Sequence, residues 1–555
     1  MDEVKQSVDE KAIPKEKEVS KDSIKHRIKK ATESFPKIAK LAKPLNMVEK
    51  RALVDAQLSD TGNAERLRLL FGDSIMYVPE KPKGSRWHVW TGKVWKSVFD
   101  EQMCDFISFT MRCTAEIGAD IIKSSSDKKK KAIKTFLAYC ARSEDVSKIN
   151  AALQRASSML VKHIIELDTN QLLLNVRNGI VDLQTGQLLQ HDRQYYCTRI
   201  CNACYIKGAS HGSLWEQTMQ QIIPDSNVLE YLHVYTGYMA TGKASEESIL
   251  FLYGEGGAGK GTFANTIDYV LGDYSDTFDP EILLSSRFDS DGGRSASPGR
   301  AKLAGLRAAW ASETGLGRKL NDAAIKNLTG RDDITARFLY GQPFTFTQNA
   351  KMVISSNYLP NLKDVNDGGI RRRLKIVGFH EVFADHADKN LKDKLREPQE
   401  MAAVLDWLVQ GAVDWCRNGL PELPNSVKVE MNKYYEDNDW LADALGELTV
   451  PDSSGRIKAI VLLEAIYDWL GHFGRNSDYT RSSLVELISK HGYSYKRIHG
   501  TRYFCGLSIK PGTNSEAAND ESQETTSMQW DDPVPPPPEH PGTEELAVES
   551  WEVPF

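Results

Sequence analysis

The chain lacks any run of about 20 uncharged apolar residues, the length a membrane-spanning helix requires. Residues 1–30 are rich in Lys and Glu and contain no apolar signal region. A soluble, cytoplasmic protein is therefore expected. Cysteine is sparse, at 8 in 555 residues, too dilute for a disulfide framework and in keeping with a reducing compartment. Lys and Arg are missing altogether from residues 512–555, which hold eleven acids: Glu516, Asp520, Glu521, Glu524, Asp531, Asp532, Glu539, Glu544, Glu545, Glu549 and Glu552. The net charge of -6 hides this asymmetry, because outside the tail 70 basic residues face 65 acidic ones, a body of +5. An acidic tail on a mildly basic body suits a nucleic-acid binder with a separate protein-docking tail.

What is present is organised around residues 249–271. A buried-type apolar run, Ile249 to Tyr253, stops at Gly254, and an amphipathic run begins after Lys260. Between strand and helix lies a loop of the form G-x-x-x-x-G-K: Gly254, Glu255, Gly256, Gly257, Ala258, Gly259 and Lys260, followed by Gly261 and Thr262. Glycines let successive backbone N–H groups turn inward around phosphate oxygens, the helix adds its positive end, and Lys260 supplies a point charge for the β and γ phosphates. Gly261 stands where a Ser or Thr hydroxyl on Mg²⁺ is expected, and Thr262 comes one residue late. The loop is read as nucleotide-binding.

Two further apolar segments end in polar groups suited to such a loop. Residues 302–313 end in Glu313, a carboxylate placed to hold Mg²⁺ and polarise the attacking water; residues 351–357 end in Asn357, an amide able to orient water against a γ-phosphate. Fifteen residues on stand Arg371, Arg372 and Arg373, read either as a solvated charge run or as guanidiniums that reach a neighbouring subunit's nucleotide.

Elsewhere the signals are weaker. Residues 1–60 read as a disordered charged tail. Residues 87–95 read as a Trp-rich hairpin around Thr91-Gly92, and residues 172–186 as two strands with Asn-Gly and Thr-Gly turns. Lys128 to Lys131 form either a solvated face or a DNA contact. Cys197, Cys201 and Cys204 fall at C-x₃-C-x₂-C but have no evident fourth ligand, and they are left out of the site. Residues 427–511 read as helices followed by a basic hairpin whose Lys496, Arg497 and Arg502 either contact phosphates or form a solvated wing. Residues 512–555 carry Pro533 to Pro538 and no apolar periodicity, which predicts an extended tail.

The ordered set of residues 254–262, Glu313, Asn357 and Arg372/Arg373 resembles a superfamily 3 helicase, an AAA+ type motor, closest to the helicase half of phage and plasmid primase–helicases and their poxvirus relatives. Residues 326–340 are similar to a stretch in which that family usually has Gly-Gly-Asp; here Arg331 replaces the second Gly, and the expected hairpin tip, Tyr340-Gly341-Gln342, lacks the lysine that often touches DNA. The resemblance implies an α/β P-loop motor core at 213–426, a small α+β helicase-associated domain at 61–212 and a winged-helix-like domain at 427–511. It implies ATP and Mg²⁺ as cofactors, with Thr262 and Glu313 on the metal, and Arg372 or Arg373 acting in trans within a homo-oligomeric ring, a hexamer in the family. DNA contact then falls to Lys326, Arg331 or Arg337. The expected function is an ATP-dependent replicative DNA helicase of a phage or mobile element. The alternatives are an origin-binding or scaffold ATPase that does not unwind, and a primase–helicase whose primase activity is unrecognised. With only about 65 residues ahead of the resemblance, primer synthesis is not expected. The last residues, with Trp551, Pro554 and Phe555 behind acids, look like the acidic tip of bacterial single-stranded-DNA-binding proteins, which would recruit host replication proteins; the other reading is a solubilising tail.

Overall fold

The computed structural model describes residues 35–81, 85–121, 127–285, 298–312, 315, 317–337, 343–383, 388–473, 475 and 479–510. Two units divide the chain, Met1–Asp439 and Trp440–Phe555. Among the described residues no helix is long and apolar enough to cross a membrane.

In the first unit, helix α1 (Met47–Asp55) starts within the segment expected to be disordered. Asn46 caps it, its side chain accepting from the amides of Val48 and Glu49 while Glu49 reaches back, a closed capping box. Leu53 and Val54 are buried by it. The surrounding charge conceals this signal, and the expectation of disorder is corrected for Met47–Asp55; residues 1–34 lie outside the described residues. Helix α2 (Asp60–Phe71) follows, then β1 (Ile75–Tyr77), β2 (Trp87–Trp90) and β3 (Trp95–Val98). The Trp-rich hairpin forms as β2–β3 in the antiparallel order β1-β2-β3. Helices α3 (Asp100–Ile121), α4 (Asp127–Arg142) and α5 (Val146–Met159) enclose a core of Phe71, Phe106 and Phe109 with Leu67 and Ile107. Of the lysine run, the side chains of Lys128, Lys129 and Lys130 lie outside what is described. The two strands expected at 172–186 form as β4 (Leu173–Val176) and β5 (Gly179–Asp182), and the Thr185-Gly186 turn then folds a third, β6 (Gln187–Leu189), back onto β5.

The main core is a five-stranded, all-parallel sheet. Its strands are β7 (Ile249–Gly254), β8 (Ser275–Thr277), β9 (Ala308–Ser312), β12 (Lys351–Ser356) and β13 (Leu374–Phe379), in the order β13-β7-β12-β9-β8. Ile249 to Leu252, Ala308 to Ala311 and Met352 to Ile354 are buried without a break, the pattern of strands covered on both faces. Between β9 and β12 stands a separate antiparallel pair, β10 (Asp333–Ala336) and β11 (Phe344–Thr347). Among the covering helices, α6 (Leu214–Ile222), α7 (Ser226–Ala240), α8 (Lys260–Leu271) and α11 (Pro398–Asn418), the pair α7 and α11 cross backbone to backbone. A Cβ on Gly237 would meet the Ala412 amide at 2.1 Å, and one on Gly411 the His233 carbonyl at 2.3 Å. Short helices α9 (Asp322–Thr329) and α10 (Gly368–Arg371) precede β10 and β13.

Helix α12 (Asn425–Asp437), expected to open the C-terminal module, packs instead on β13, with Val427, Met431, Tyr434 and Tyr435 in the main core. The second unit begins at Trp440: α13 (Trp440–Leu448), β14 (Thr449–Lys458), α14 (Ala459–His472), α15 (Arg481–Lys490), β15 (Ser494–Ile498) and β16 (Thr501–Ile509), with strand order β14-β16-β15. Trp440, Leu462, Ile466, Leu484, Ile488 and Phe504 form its core.

Candidate nucleotide-binding site

Parallel strands bring the C-terminal ends of β7, β12 and β13 to one edge of the sheet. The chain leaves β7 toward β8 on one side and returns from β12 to β13 on the other, so β7 ends at a switch point, where such sheets form a crevice. The glycine loop lies there. Gly254 has φ 154°, and a Cβ on it would sit 2.1 Å from the Phe379 carbonyl, so β13 closes against the loop only with glycine at this position. Gly259, at φ 84°, is the N-cap of α8, which starts at Lys260. Ala258 is buried, whereas Glu255, Gly256 and Gly257 are exposed, and the Phe383 amide donates to the Gly257 carbonyl at 3.2 Å.

Lys260 is buried at the head of the helix. Its Nζ donates to the carbonyls of Gly254 (2.6 Å) and Glu255 (2.8 Å) and to Oδ1 of Asn357 (3.0 Å). The lysine of the loop and the amide after the neighbouring strand therefore meet directly, 97 positions apart in sequence. Burial pushes the Lys260 ammonium below its ordinary pKa, which an anion at the loop would counter. Thr262 lies half-buried in the first turn of α8. Ser312 ends β9 one strand beyond β12; Glu313, the expected acid, lies outside the described residues.

The three arginines separate at the opposite edge. Arg371 stacks over the Tyr435 ring at 4.3 Å. Arg372 is exposed, with Nη2 3.1 Å from Oε2 of Glu247. Arg373 is buried: Nε donates to Thr329 Oγ1 (2.9 Å), Nη1 to the Gly369 carbonyl (3.0 Å) and Nη2 to Glu247 Oε2 (2.9 Å). Of the two finger candidates, Arg373 is committed to its own subunit and Arg372 is the one presented to solvent.

The expected DNA contacts also separate. Lys326, on α9, is held by Asp367 at 2.5 Å, and Arg331 donates to the Ser245 carbonyl at 3.3 Å. Arg337 is exposed at the end of β10; the expected tip, Tyr340-Gly341-Gln342, lies outside the described residues, as do Trp551, Pro554 and Phe555. In the second unit Lys496, Arg497 and Arg502 are exposed on the β15–β16 ribbon, with Arg497 directly opposite Arg502 and Lys496 opposite Tyr503. Cys197 and Cys201 are buried in separate apolar clusters, where burial pushes both thiols up to about 12.

Residues 64–224 match the D5 N terminal like family, and residues 252–373 match a family of unknown function, DUF5906. A mimivirus protein named as a helicase, L207/L206 of Acanthamoeba polyphaga mimivirus, is 32% identical over 232 residues, covering 41% of this chain and 24% of that one. The African swine fever virus protein C962R, named as a primase, is 28% identical over 231 residues, covering 40% and 24%. These matches support a relationship to the phage-like superfamily 3 primase–helicases. The match thus spans about a quarter of the length of these curated relatives. The solved C-terminal region of NrS-1 is similar at 9% identity and a TM-score of 0.41, over 78% of this chain and 95% of that one.

The second matched stretch, 252–373, takes in the glycine loop, Asn357 and all three arginines. Sequence reasoning missed the partners of those arginines: Glu247, Thr329 and Tyr435. Glu247 had a usable signal, an acid just ahead of the β7 apolar run. Thr329 and Tyr435 had none, since both read as ordinary helix positions.

Proposed function

We propose that this chain is an ATP-driven DNA helicase of a viral or mobile-element replication system, working as a homo-oligomeric ring of the hexameric kind. The observation that carries the reading is the Lys260 ammonium, set between the carbonyls of the glycine loop and the Asn357 amide at the switch point of a parallel sheet.

The loop fits a nucleotide. A Cβ on Gly256 would meet nothing within 4 Å, so its backbone is open to phosphate oxygens, and α8 points its N-terminus at the same place. Lys260 holds the β and γ phosphates and Asn357 orients the water. Thr262 and Glu313 would hold Mg²⁺, which neutralises phosphate charge when bound. Arg372 acts on the neighbouring subunit's nucleotide. With Lys326 and Arg331 engaged within the chain, contact with the translocating strand falls chiefly to Arg337 and the β10–β11 pair. Strand displacement on a forked duplex tests the reading: ATP-dependent displacement by wild type is expected, and its absence with every nucleotide would overturn it.

The second unit is read as a winged-helix-like module that grips phosphates through its ribbon. No carboxylate occurs in residues 494–510, whereas on α15 Glu486 pairs with Lys490 at 3.0 Å and so offers little net charge. Replacing Lys496, Arg497 and Arg502 together with Ala should weaken duplex binding equally across sequences. It should also reduce the slope of log affinity against log salt by about 0.9 for each phosphate no longer neutralised. An unchanged slope would assign the ribbon to solvent.

The acidic tail is read as a docking segment for host replication proteins. A peptide of residues 545–555 should bind proteins that recognise single-stranded-DNA-binding-protein tips, and removing Phe555 should abolish that binding. Binding that ignores Phe555 would leave only a charged tail.

A further inference from the structure

Glu247 lies two residues ahead of β7, at the edge of the sheet opposite the glycine loop. Its backbone is left-handed, at φ 45°, a conformation that residues with a Cβ adopt only where the surroundings enforce it. Those surroundings are fixed on every side. The carbonyl of Ser245 accepts from Arg331 at 3.3 Å. Glu246 Oε1 accepts from Trp415 Nε1 at 2.8 Å, and the Glu246 amide donates to the Tyr238 hydroxyl at 3.2 Å. One residue beyond Ser248, the Ile249 amide donates to the Arg373 carbonyl at 2.9 Å.

A single oxygen, Oε2 of Glu247, accepts from both Arg372 and Arg373. The two guanidiniums are unequal. Arg373 has its other nitrogens on Thr329 and Gly369 and a side chain only 9% exposed, so it stays with the carboxylate. The Arg372 side chain is 64% exposed. Because Arg373 already balances the charge, departure of Arg372 leaves no bare carboxylate behind. An exposed pair of this kind is weak and exchangeable, yet it selects one outward conformer of a long side chain.

We propose that Glu247 is the positioning residue for the trans-acting arginine: it holds Arg372 extended from the subunit edge, ready to transfer to a neighbour's nucleotide. This rests on the ring-ATPase reading above. Strand β7 then carries the glycine loop at one end and the post for the finger at the other, roughly 20 Å apart at about 3.3 Å per residue.

The test uses the full chain and ATP turnover in subunit mixtures. Glu247→Gln should lower kcat about 2- to 5-fold, the scale of an exposed ion pair, with KM for ATP unchanged, because the subunit's own phosphate site is untouched. Adding Lys260→Ala subunits, whose own turnover is about 10²-fold or more below wild type but which carry an intact Glu247 and Arg372, should restore part of the lost turnover. Glu247→Asp keeps a charge for Arg373 and should fold and show a smaller loss of the same kind. The inference is overturned by full turnover in folded Glu247→Gln, or by unfolding of both variants, which would assign Glu247 to stability alone. It is overturned, too, if Lys260→Ala subunits rescue Arg372→Ala but not Glu247→Gln. If they rescue neither, the trans-acting finger itself is wrong.

Discussion

Lys260→Ala is expected to lower ATP turnover about 10²-fold or more while the protein keeps its fold. The ammonium is aimed at the place where phosphate charge would lie. In the chain itself it bonds two loop carbonyls and one amide at the surface of the crevice, not an apolar core. Losing those bonds costs about 1–3 kcal/mol, well short of unfolding a unit with so extensive a buried core. Nucleotide affinity should fall with turnover, because Lys260 holds phosphate in both ground and transition states. Far-ultraviolet circular dichroism, melting temperature and phosphate release on the same preparation check this; near-normal turnover, or an unfolded variant, would defeat the assignment.

The second large effect separates two neighbouring arginines. Arg372→Ala should reduce hydrolysis about 10³-fold, leave nucleotide binding and melting temperature unchanged, and regain turnover when mixed with Lys260→Ala subunits. Arg373→Ala should act mainly on stability. Its removal strips partners from Glu247, Thr329 and the Gly369 carbonyl at a site 8% exposed, a loss of about 2–4 kcal/mol. Differential scanning calorimetry should show a lower transition for Arg373→Ala alone. The reverse pattern would make Arg373 the finger and Arg372 the brace.

That contrast shows what a sequence of three arginines conceals. Arg371, Arg372 and Arg373 are chemically identical, and a charge run reads as one solvated face. The passage from α10 into β13 turns the first onto Tyr435, the second outward and the third into the core. Only the fold assigns these directions. The glycine loop was legible because glycine spacing, an apolar strand and an amphipathic helix are local features, and Asn357 was legible as the polar end of a strand. Its contact with Lys260 depends on β12 lying next to β7, and the strand order β13-β7-β12-β9-β8 is a long-range property that periodicity does not encode. Helix α12 shows the same limit. Its amphipathic pattern is clear, but that pattern does not say which core the apolar face meets, so the expected module boundary falls before the helix while the first unit ends after it. Helix α1 escapes notice for a different reason: its two buried residues, Leu53 and Val54, sit among charges that read as disorder, and the Asn46–Glu49 capping box outweighs them.

A motor couples ATP hydrolysis to DNA. Steady-state hydrolysis by the full chain, with and without single-stranded DNA, tests that coupling most directly. DNA should raise the rate severalfold in wild type and leave it at background in Lys260→Ala. Hydrolysis that proceeds at the same rate whether or not DNA is present would contradict the helicase reading and leave an assembly ATPase in place of a motor.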